Sequence, residues 1–249
     1  DNGERPPSVL IGQLRDHLAA GWRLDPDGDG EALLRADYEL ARAESPDAPA
    51  AFEAYRDQFY VRLAENCVAY SWILTAVMAA SPVCDSSFVE KGRIGGDLFQ
   101  GLATVRCSEL GYWNFFAPIL DYTSAAAYAD SIQSYIDSGM IRYPSELYYP
   151  IRLKNFGPYS LEGLKEGISH IELRMVDLNP LVRAGIDERD VLFSQLFLVW
   201  AASLPPANLT VKDQVQAVQN FKNAAHYDLK TVKIVMPDGT ACSVVKAAK

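Results

Sequence analysis

The sequence lacks an excess of positive charge. Its 23 lysines and arginines are outnumbered by 32 aspartates and glutamates, so the formal net charge at pH 7 is -9. A protein that binds nucleic acid neutralises phosphates with a basic surface, which this composition does not favour. We therefore expect no nucleic-acid partner, although a local cluster of arginines in an acidic chain still suits a small anionic substrate.

Cysteine is scarce, and its spacing argues against a disulfide framework. The four cysteines, Cys67, Cys84, Cys107 and Cys242, are far apart in the sequence and none belongs to a C-x-x-C pair. Zinc sites and redox motifs use such close pairs, and small secreted domains use denser patterns. We interpret all four as free thiols and expect a reducing, cytoplasmic location.

Long hydrophobic runs are also missing. The longest, residues 67–80, is shorter than the roughly 20 residues that an α-helix needs to cross a bilayer. Residues 1–7 are polar and rich in proline, unlike a secretory signal. We expect no membrane partner. Because the sequence does not begin with methionine, we also expect it to be a piece of a longer protein.

The sequence does contain enough apolar residues for a large core. Hydrophobic residues make up 49% of its 249 positions, which suffices for one large domain. Periodicity and turn residues fit an α+β fold. We treat residues 1–249 as a single domain with a helical part, a sheet-bearing part that holds the candidate site, and a final part of helices and a hairpin. These parts are residues 8–80, 100–180 and 186–249.

Apolar stripes and capping residues predict the individual elements. Asp187 is typical of a helix N-cap, and Gly139 of a helix C-terminal stop. The tripeptide Pro237-Asp-Gly239 predicts the turn of a β-hairpin. The predicted helices are residues 8–21, 31–43, 50–80, 122–138, 187–204 and 211–225, and the predicted hairpin is residues 231–245.

The middle of residues 166–180 predicts a strand with two different faces. Glu172 and Arg174 share one face, whereas Ile171, Leu173 and Met175 form an apolar face that packs on a core. One interpretation of the charged pair is a surface ion pair, which contributes little stability. The other is a site in which the carboxylate binds a divalent cation and the guanidinium binds a phosphate or a carboxylate. The spacing does not choose between them.

Two further predicted strands carry cations. Residues 103–112 contain Arg106 and end at Tyr112, while residues 144–154 place Tyr148, Arg152 and Lys154 on one face. If the strands are neighbours, their cations meet on one concave surface that suits an anionic, amino-acid-like or phosphorylated ligand. The same pattern also suits unrelated residues at sheet edges.

The motifs resemble those of a known family. Ile-Glu-Leu-Arg at 171–174 with Asp-Leu-Asn-Pro at 177–180 resembles the I-E-[VL]-R…D-x-N-P signature of bacterial glutamate–cysteine ligase, also called γ-glutamylcysteine synthetase. Four further stretches agree in the same order over about residues 55–205. Residues 81–88, 105–112 and 146–152 are similar to A-S-P-A-x-x-x-S-F, L-R-x-S-D-[LI]-G-Y and E-L-Y-x-P-I-R, and 185–187 with 196–200 resemble the helix after the signature.

This resemblance implies a glutamine-synthetase-like ligase fold, in which helices pack on one side of an antiparallel sheet. It also implies an enzyme that uses ATP and Mg²⁺. The implied reaction is the first step of glutathione biosynthesis: the γ-carboxylate of glutamate is phosphorylated, and the amine of cysteine attacks the resulting γ-glutamyl phosphate. The resemblance also implies that Arg174 is a catalytic residue that contacts the transferring phosphoryl group. It implies that Glu172 is a ligand of the magnesium ion.

The remaining motif residues are implied to bind the amino-acid substrates. Arg106 and Tyr112 resemble the pair that holds the amino-acid end, with Arg106 on a carboxylate. Tyr148 resembles a wall of the cysteine pocket. Arg152 matches its motif, but the resemblance gives it no defined role beyond substrate binding.

The sequence also departs from the family. The family's N-terminal half, which holds most of the metal-binding carboxylates and a metal-binding histidine, has no counterpart, and position 109 is Glu where the family usually has Asp. We expect this chain to be roughly the second half of the enzyme, inactive or nearly so without its N-terminal partner. Two alternatives stay open: a non-catalytic amino-acid-binding or regulatory relative, and a carboxylate–amine ligase with another amine acceptor.

Overall fold

A computed structural model describes residues 48–83, 101–111 and 114–249. Nearly all of these residues belong to one compact unit, Glu53–Lys249. The predicted helices 8–21 and 31–43, together with Cys84 and Tyr112, lie outside the described residues. The interpretation of 1–249 as a single domain stays a prediction.

The described residues form helices and two small antiparallel sheets, which confirms the predicted α+β class. The helices are α1 Ala48–Ala69, α2 Ser71–Val77, α3 Ala125–Asp137, α4 Leu161–Glu166, α5 Glu188–Ser203, α6 Val211–Asn223 and α7 Val244–Ala247. The strands are β1 Ile151–Lys154, β2 His170–Leu173, β3 Lys233–Val235 and β4 Ala241–Ser243. Strand β1 pairs with β2, and β3 pairs with β4.

Local capping explains where several helices begin and end, as predicted. Asp187 accepts a hydrogen bond from the backbone N–H of Arg189 at the start of α5, and Asp190 completes a capping box. After α3, Gly139 takes a positive φ of 74°, a conformation that disfavours other residues. The predicted long helix over residues 50–80 is instead two helices, because Tyr70 leaves the helical conformation between α1 and α2.

One predicted strand was wrong and another was too long. The described part of this predicted strand, residues 103–111, forms an isolated bridge and turns, because the N–H groups of residues 103–105 bond the carbonyls of Ala225 and Ser81 rather than one neighbouring strand. Within residues 144–154, Pro144–Glu146 is a 3-10 turn and only β1 is extended. The described residues therefore place two, not three, of the cation-bearing segments in a sheet.

The core surrounds the β1–β2 pair. Ile151 and Leu153 of β1 are almost completely buried, as are Leu164 of α4 and Met175 after β2. A smaller cluster lies under the β3–β4 hairpin and consists of Trp72, Ala224, Ile234 and Val244. Within the described ranges, no helix combines the length and the apolar character needed to cross a membrane.

Candidate active site

Three of the predicted site residues line one cavity of about 340 Å³. Arg106 reaches it from the turn after Thr104, Tyr148 from the segment before β1, and Arg174 from the residue after β2. The other lining residues are Cys107, Pro118, Tyr149, Pro150, Val218 and Phe221. Two arginines and a tyrosine therefore line a space whose remaining walls are mainly apolar.

Arg174 is held rigidly at the end of β2. Its backbone N–H donates to the Pro150 carbonyl at 2.9 Å, which continues the β1–β2 pairing by one residue. Its Nη1 donates to the Leu147 carbonyl at 3.0 Å, and its side chain is 21% exposed. Burial lowers the pKa of Arg174, as does the nearby positive charge of Arg152, while Glu172 raises it. The guanidinium nevertheless stays charged at neutral pH.

Arg106 lies in a turn rather than in the predicted strand. Its Nε and Nη2 donate to the Arg174 carbonyl at 3.3 and 3.0 Å. The two arginines are therefore fixed to each other through the backbone, although they are 68 residues apart. Arg106 is exposed and also lines the cavity.

Tyr148 is fixed through its backbone by an asparagine that the sequence analysis did not single out. The side-chain amide of Asn114 donates to the Tyr148 carbonyl at 2.7 Å and accepts from the Tyr148 N–H at 3.3 Å. Asn114 is buried, and it pairs with both main-chain groups of Tyr148 as a strand partner does. Tyr112, the second predicted tyrosine, lies outside the described residues.

Arg152 does not line the cavity. It is 93% buried, its relative exposure being 7%, and its Nη2 donates to the carbonyls of Pro144, Ser145 and Leu147 at 3.2, 3.3 and 3.1 Å. Its guanidinium also lies over the Tyr159 ring at 5.4 Å. These contacts hold the segment that precedes Tyr148 in place, so Arg152 stabilises one wall of the cavity without lining it.

Glu172 is surrounded by cations, in agreement with the predicted face that it shares with Arg174. It lies opposite Arg152 in the β1–β2 register, and its carboxylate is 3.5 Å from Lys154 Nζ and 3.8 Å from Arg174 Nε. A magnesium site usually combines a carboxylate with further oxygen ligands. No three His, Cys, Asp or Glu side chains cluster as metal ligands in residues 48–83, 101–111 and 114–249. The described residues alone therefore do not fit a magnesium ion.

Asp177 joins the turn that carries Arg106, and residues 80–81, to the segment that follows Arg174, a role that the sequence analysis missed. One carboxylate oxygen accepts from the Ala80 N–H, the Ser81 N–H and the Ser81 hydroxyl at 2.9, 3.0 and 2.7 Å. The other accepts from the Thr104 hydroxyl at 3.0 Å. Thr104 in turn accepts from the Cys107 N–H at 3.3 Å. This buried carboxylate thus fixes the turn of Arg106 against the segment that follows Arg174.

Cys107 is a buried thiol beside the cavity. Its Sγ donates to the Met175 carbonyl at 3.3 Å. Burial, followed by the negative charge of Asp177, raises its pKa to about 12. The thiolate is the reactive form of cysteine, so this residue is poorly suited to be a nucleophile. Cys67, Cys107 and Cys242 are all free thiols, as predicted.

Comparisons with known proteins agree with the motif resemblance. Residues 117–224 match the family model of glutamate-cysteine ligase. The glutathione biosynthesis bifunctional protein GshAB of Listeria monocytogenes serotype 4b (strain F2365) is 32% identical over 200 residues, which cover 78% of this chain and 26% of that protein. GshAB of Clostridium perfringens (strain 13 / Type A) is 31% identical over 183 residues, or 70% of this chain and 24% of that protein.

Solved structures share the fold. A glutamate–cysteine ligase from Francisella tularensis, crystallised in complex with AMP, matches with a TM-score of 0.66 and 19% identity over 77% of this chain and 46% of that one. A bifunctional glutathione synthetase from Pasteurella multocida gives a TM-score of 0.57 and 24% identity, covering 71% of this chain and 23% of that one. The chain spans about a quarter of the curated relatives that it matches.

Proposed function

We propose, on the premise that this chain is related to the glutamate–cysteine ligase family, that it forms part of an enzyme that joins L-glutamate to L-cysteine. The reaction uses ATP to convert the γ-carboxylate of glutamate to γ-glutamyl phosphate, which the amine of cysteine then attacks. The observation that carries the proposal is the convergence of Arg106, Tyr148 and Arg174 on one cavity, since each comes from a different family-like motif.

Arg174 is the proposed catalytic residue. Phosphoryl transfer depends mainly on positioning and on stabilising the charge that spreads over the phosphoryl oxygens. Arg174 is half-buried and is held by bonds from both its backbone and its side chain. A fixed guanidinium of this kind stabilises a phosphoryl group in the transition state without reorganising during the reaction.

Arg106 and Tyr148 are the proposed substrate-binding residues, with Tyr112 as a further one. Arginine binds a carboxylate through two parallel hydrogen bonds, which suits the carboxylate end of an amino acid. Tyr148 contributes an aromatic wall to the same cavity. Arg152 contributes indirectly, because its three carbonyl partners hold the segment that precedes Tyr148.

We propose that magnesium binds only when residues outside the described ranges supply further ligands. Glu172 is the residue of this chain that we propose as a ligand, and its present neighbours are cations. Further carboxylates are required for a useful magnesium affinity. We accordingly propose that the N-terminal part of the ligase is the partner that supplies them, and that the complete enzyme works in the cytoplasm.

Turnover tests this proposal. The chain alone should release no glutamate-dependent phosphate from ATP. A chimera in which this chain replaces the matched 200 residues of the Listeria protein should release phosphate when L-glutamate and L-cysteine are both present. The activity should disappear in Glu172→Gln and Arg174→Ala and persist in Arg142→Ala, which removes an exposed arginine that does not line the cavity.

Two results would redirect the proposal. Full turnover by the short chain would contradict the need for a partner. A folded chimera that binds L-glutamate without turnover would indicate a non-catalytic amino-acid-binding relative, and turnover with another amine in place of cysteine would indicate a different acceptor.

A further inference from the structure

The outer face of helix α5 is apolar and exposed. Its most exposed apolar side chains are Val199, Leu196 and Leu192, at 69, 59 and 55%. Val191 and Trp200 extend the same side of the helix, at 42 and 39% exposure. Residues three, four and seven apart lie on one face of an α-helix, so these five side chains form one continuous stripe, here called the α5 stripe.

The opposite face of α5 is already packed. Phe197 and Ala201 are buried at 4 and 0% exposure. The Ala201 carbonyl also accepts a hydrogen bond from the side chain of Asn66 in α1 at 2.9 Å. A helix at the surface of a globular protein usually has polar residues on its outer side, whereas a helix that is apolar all round is usually buried. Against the described residues, α5 is covered on one side only.

The α5 stripe indicates the chemistry of what covers it. Residues 191–203 contain no charged side chain, and Gln195 and Ser203 are the polar residues on the exposed side. The core of a stable protein interface is depleted of charged residues and rich in aliphatic and aromatic ones. An apolar, uncharged protein surface therefore fits the stripe better than a nucleic acid or an anionic ligand.

We infer that the α5 stripe is the docking surface for the rest of the ligase polypeptide, meaning the part of the longer relatives that lies beyond the region matched here. This chain spans 26% of the Listeria protein and 46% of the Francisella ligase. Most of the polypeptide in each relative must therefore pack outside the matched region, and helix α5 lies within the segment that matches the family. This inference rests on the proposed function, because it assumes that the chain works as part of such a ligase.

Cysteine labelling tests the inference without any need for catalysis. Leu192→Cys in this chain should react rapidly with a maleimide. The equivalent substitution at the aligned position of the full-length Listeria protein should react about 100-fold or more slowly, since labelling of a covered side chain requires local opening. Peptide mass spectrometry on the substituted position reads both rates, and Ala126→Cys on the exposed side of α3 provides the matched control in this chain.

Each outcome is decisive. Rapid labelling in both proteins would overturn the inference, because nothing would cover the stripe in the longer ligase. Slow labelling in both would also overturn it, because another part of this chain or a second copy of it would already cover the stripe. Chain mass in solution separates those two causes. Failure of the proposed ligation reaction would leave the labelling rates unchanged, so the two proposals fail separately.

As a second measurement, Leu192→Glu should leave the melting temperature of this chain unchanged and lower that of the longer protein when it is made at the aligned position. A fall in this chain alone would contradict the inference.

Discussion

The two antiparallel strand pairs in the described residues differ in how far apart their strands lie in the sequence. Strands β3 and β4 are joined by the short turn at residues 236–240, and their hairpin covers a small cluster that includes Ile234. Strands β1 and β2 are separated by residues 155–169, which contain α4. The second pair lies against the large core and carries Glu172, with Arg174 directly after it.

This difference separates what local sequence determines from what distant contacts determine. A turn such as Pro237-Asp-Gly239 forms from its own residues, so the hairpin needs little else. The segments that flank β2 instead take hydrogen bonds from residues far away in the sequence: the Ile168 N–H donates to Asp57, and Asp177 accepts from Ala80 and Thr104. The candidate site is built on the pair with distant partners, and substitutions should therefore be more damaging there.

The largest effect is expected from truncation of the two cores. Leu153→Ala in β1 should lower the free energy of unfolding by about 3–5 kcal/mol, because the side chain is fully buried in the large core. Ile234→Ala in β3 should cost about 2 kcal/mol, since its cluster is small and is bordered by residues that are only partly buried. Urea unfolding measures both. Equal losses in the free energy of unfolding would contradict the distinction between the β1–β2 and β3–β4 strand pairs.

The next effect concerns the carboxylate that joins the site segments. Asp177→Ala should lower the free energy of unfolding by about 2–4 kcal/mol, because it removes the acceptor of the buried Thr104 hydroxyl and of the half-buried donors of Ser81. Asp177→Asn keeps one carbonyl oxygen as an acceptor and should lower the free energy of unfolding by less. Asp238→Asn in the exposed hairpin turn provides the control and should leave the urea midpoint unchanged. An Asp177→Ala protein as stable as the original chain would contradict the joining role.

A matched pair of glycines gives a smaller effect. Gly111→Ala should cost about 2 kcal/mol, because the added Cβ would overlap the backbone carbonyls of Val105 and Arg106. Gly239→Ala meets no neighbouring atom and should cost about 1 kcal/mol, for its positive φ of 82° alone. Thermal unfolding checks the order. If Gly239→Ala costs more stability than Gly111→Ala, the backbone of the turn that contains Arg106 can shift at little cost in free energy.

The local features of the fold were predictable from the sequence. The hairpin at Pro237–Gly239 and the start of α5 at Asp187 follow from residues beside the element itself, and both predictions are confirmed. The face shared by Glu172 and Arg174 followed from the period of a strand, and the 3.8 Å separation of their side chains agrees with it.

The features that depend on distant partners were not predictable. Residues 103–112 have a strand-like composition, but in the described part, residues 103–111, the backbone partners include Ser81 and Ala225, so no regular ladder forms there. The donors to Asp177 lie 73 to 97 residues away, and no local pattern marks them. Arg152 matches a family motif, but only the packing shows that its guanidinium donates hydrogen bonds to backbone carbonyls.

The smallest effect on stability at neutral pH is expected at two thiols, which should differ sharply in reactivity. Cys242 in β4 is partly exposed and should react with a thiol reagent at pH 8, whereas buried Cys107 should react only through opening of the fold. Burial raises the pKa of Cys107 to about 12. The contribution of its protonated thiol to stability is therefore complete below the ordinary thiol pKa of 9.0 and is lost as the pH rises from there towards 12.

Peptide mass spectrometry after labelling distinguishes the thiols. The free energy of unfolding, measured between pH 7 and 11, should decline as the pH rises. Burial also raises the pKa of Cys67 to about 12, so this thiol contributes in the same direction. Rapid reaction of Cys107 in the folded chain would contradict its burial.

The central claim is that Arg106 and Arg174 act on one substrate in one cavity. Steady-state kinetics of the Listeria chimera test it most directly, with L-glutamate as the varied substrate. Arg106→Ala should raise the KM for glutamate by about 10-fold or more, the loss expected for a charged hydrogen bond. Arg174→Ala should instead lower kcat by about 100-fold or more, as removal of a transition-state contact does. If both variants keep the KM and kcat of the unsubstituted chimera, as Arg142→Ala should, the cavity is not the ligase site.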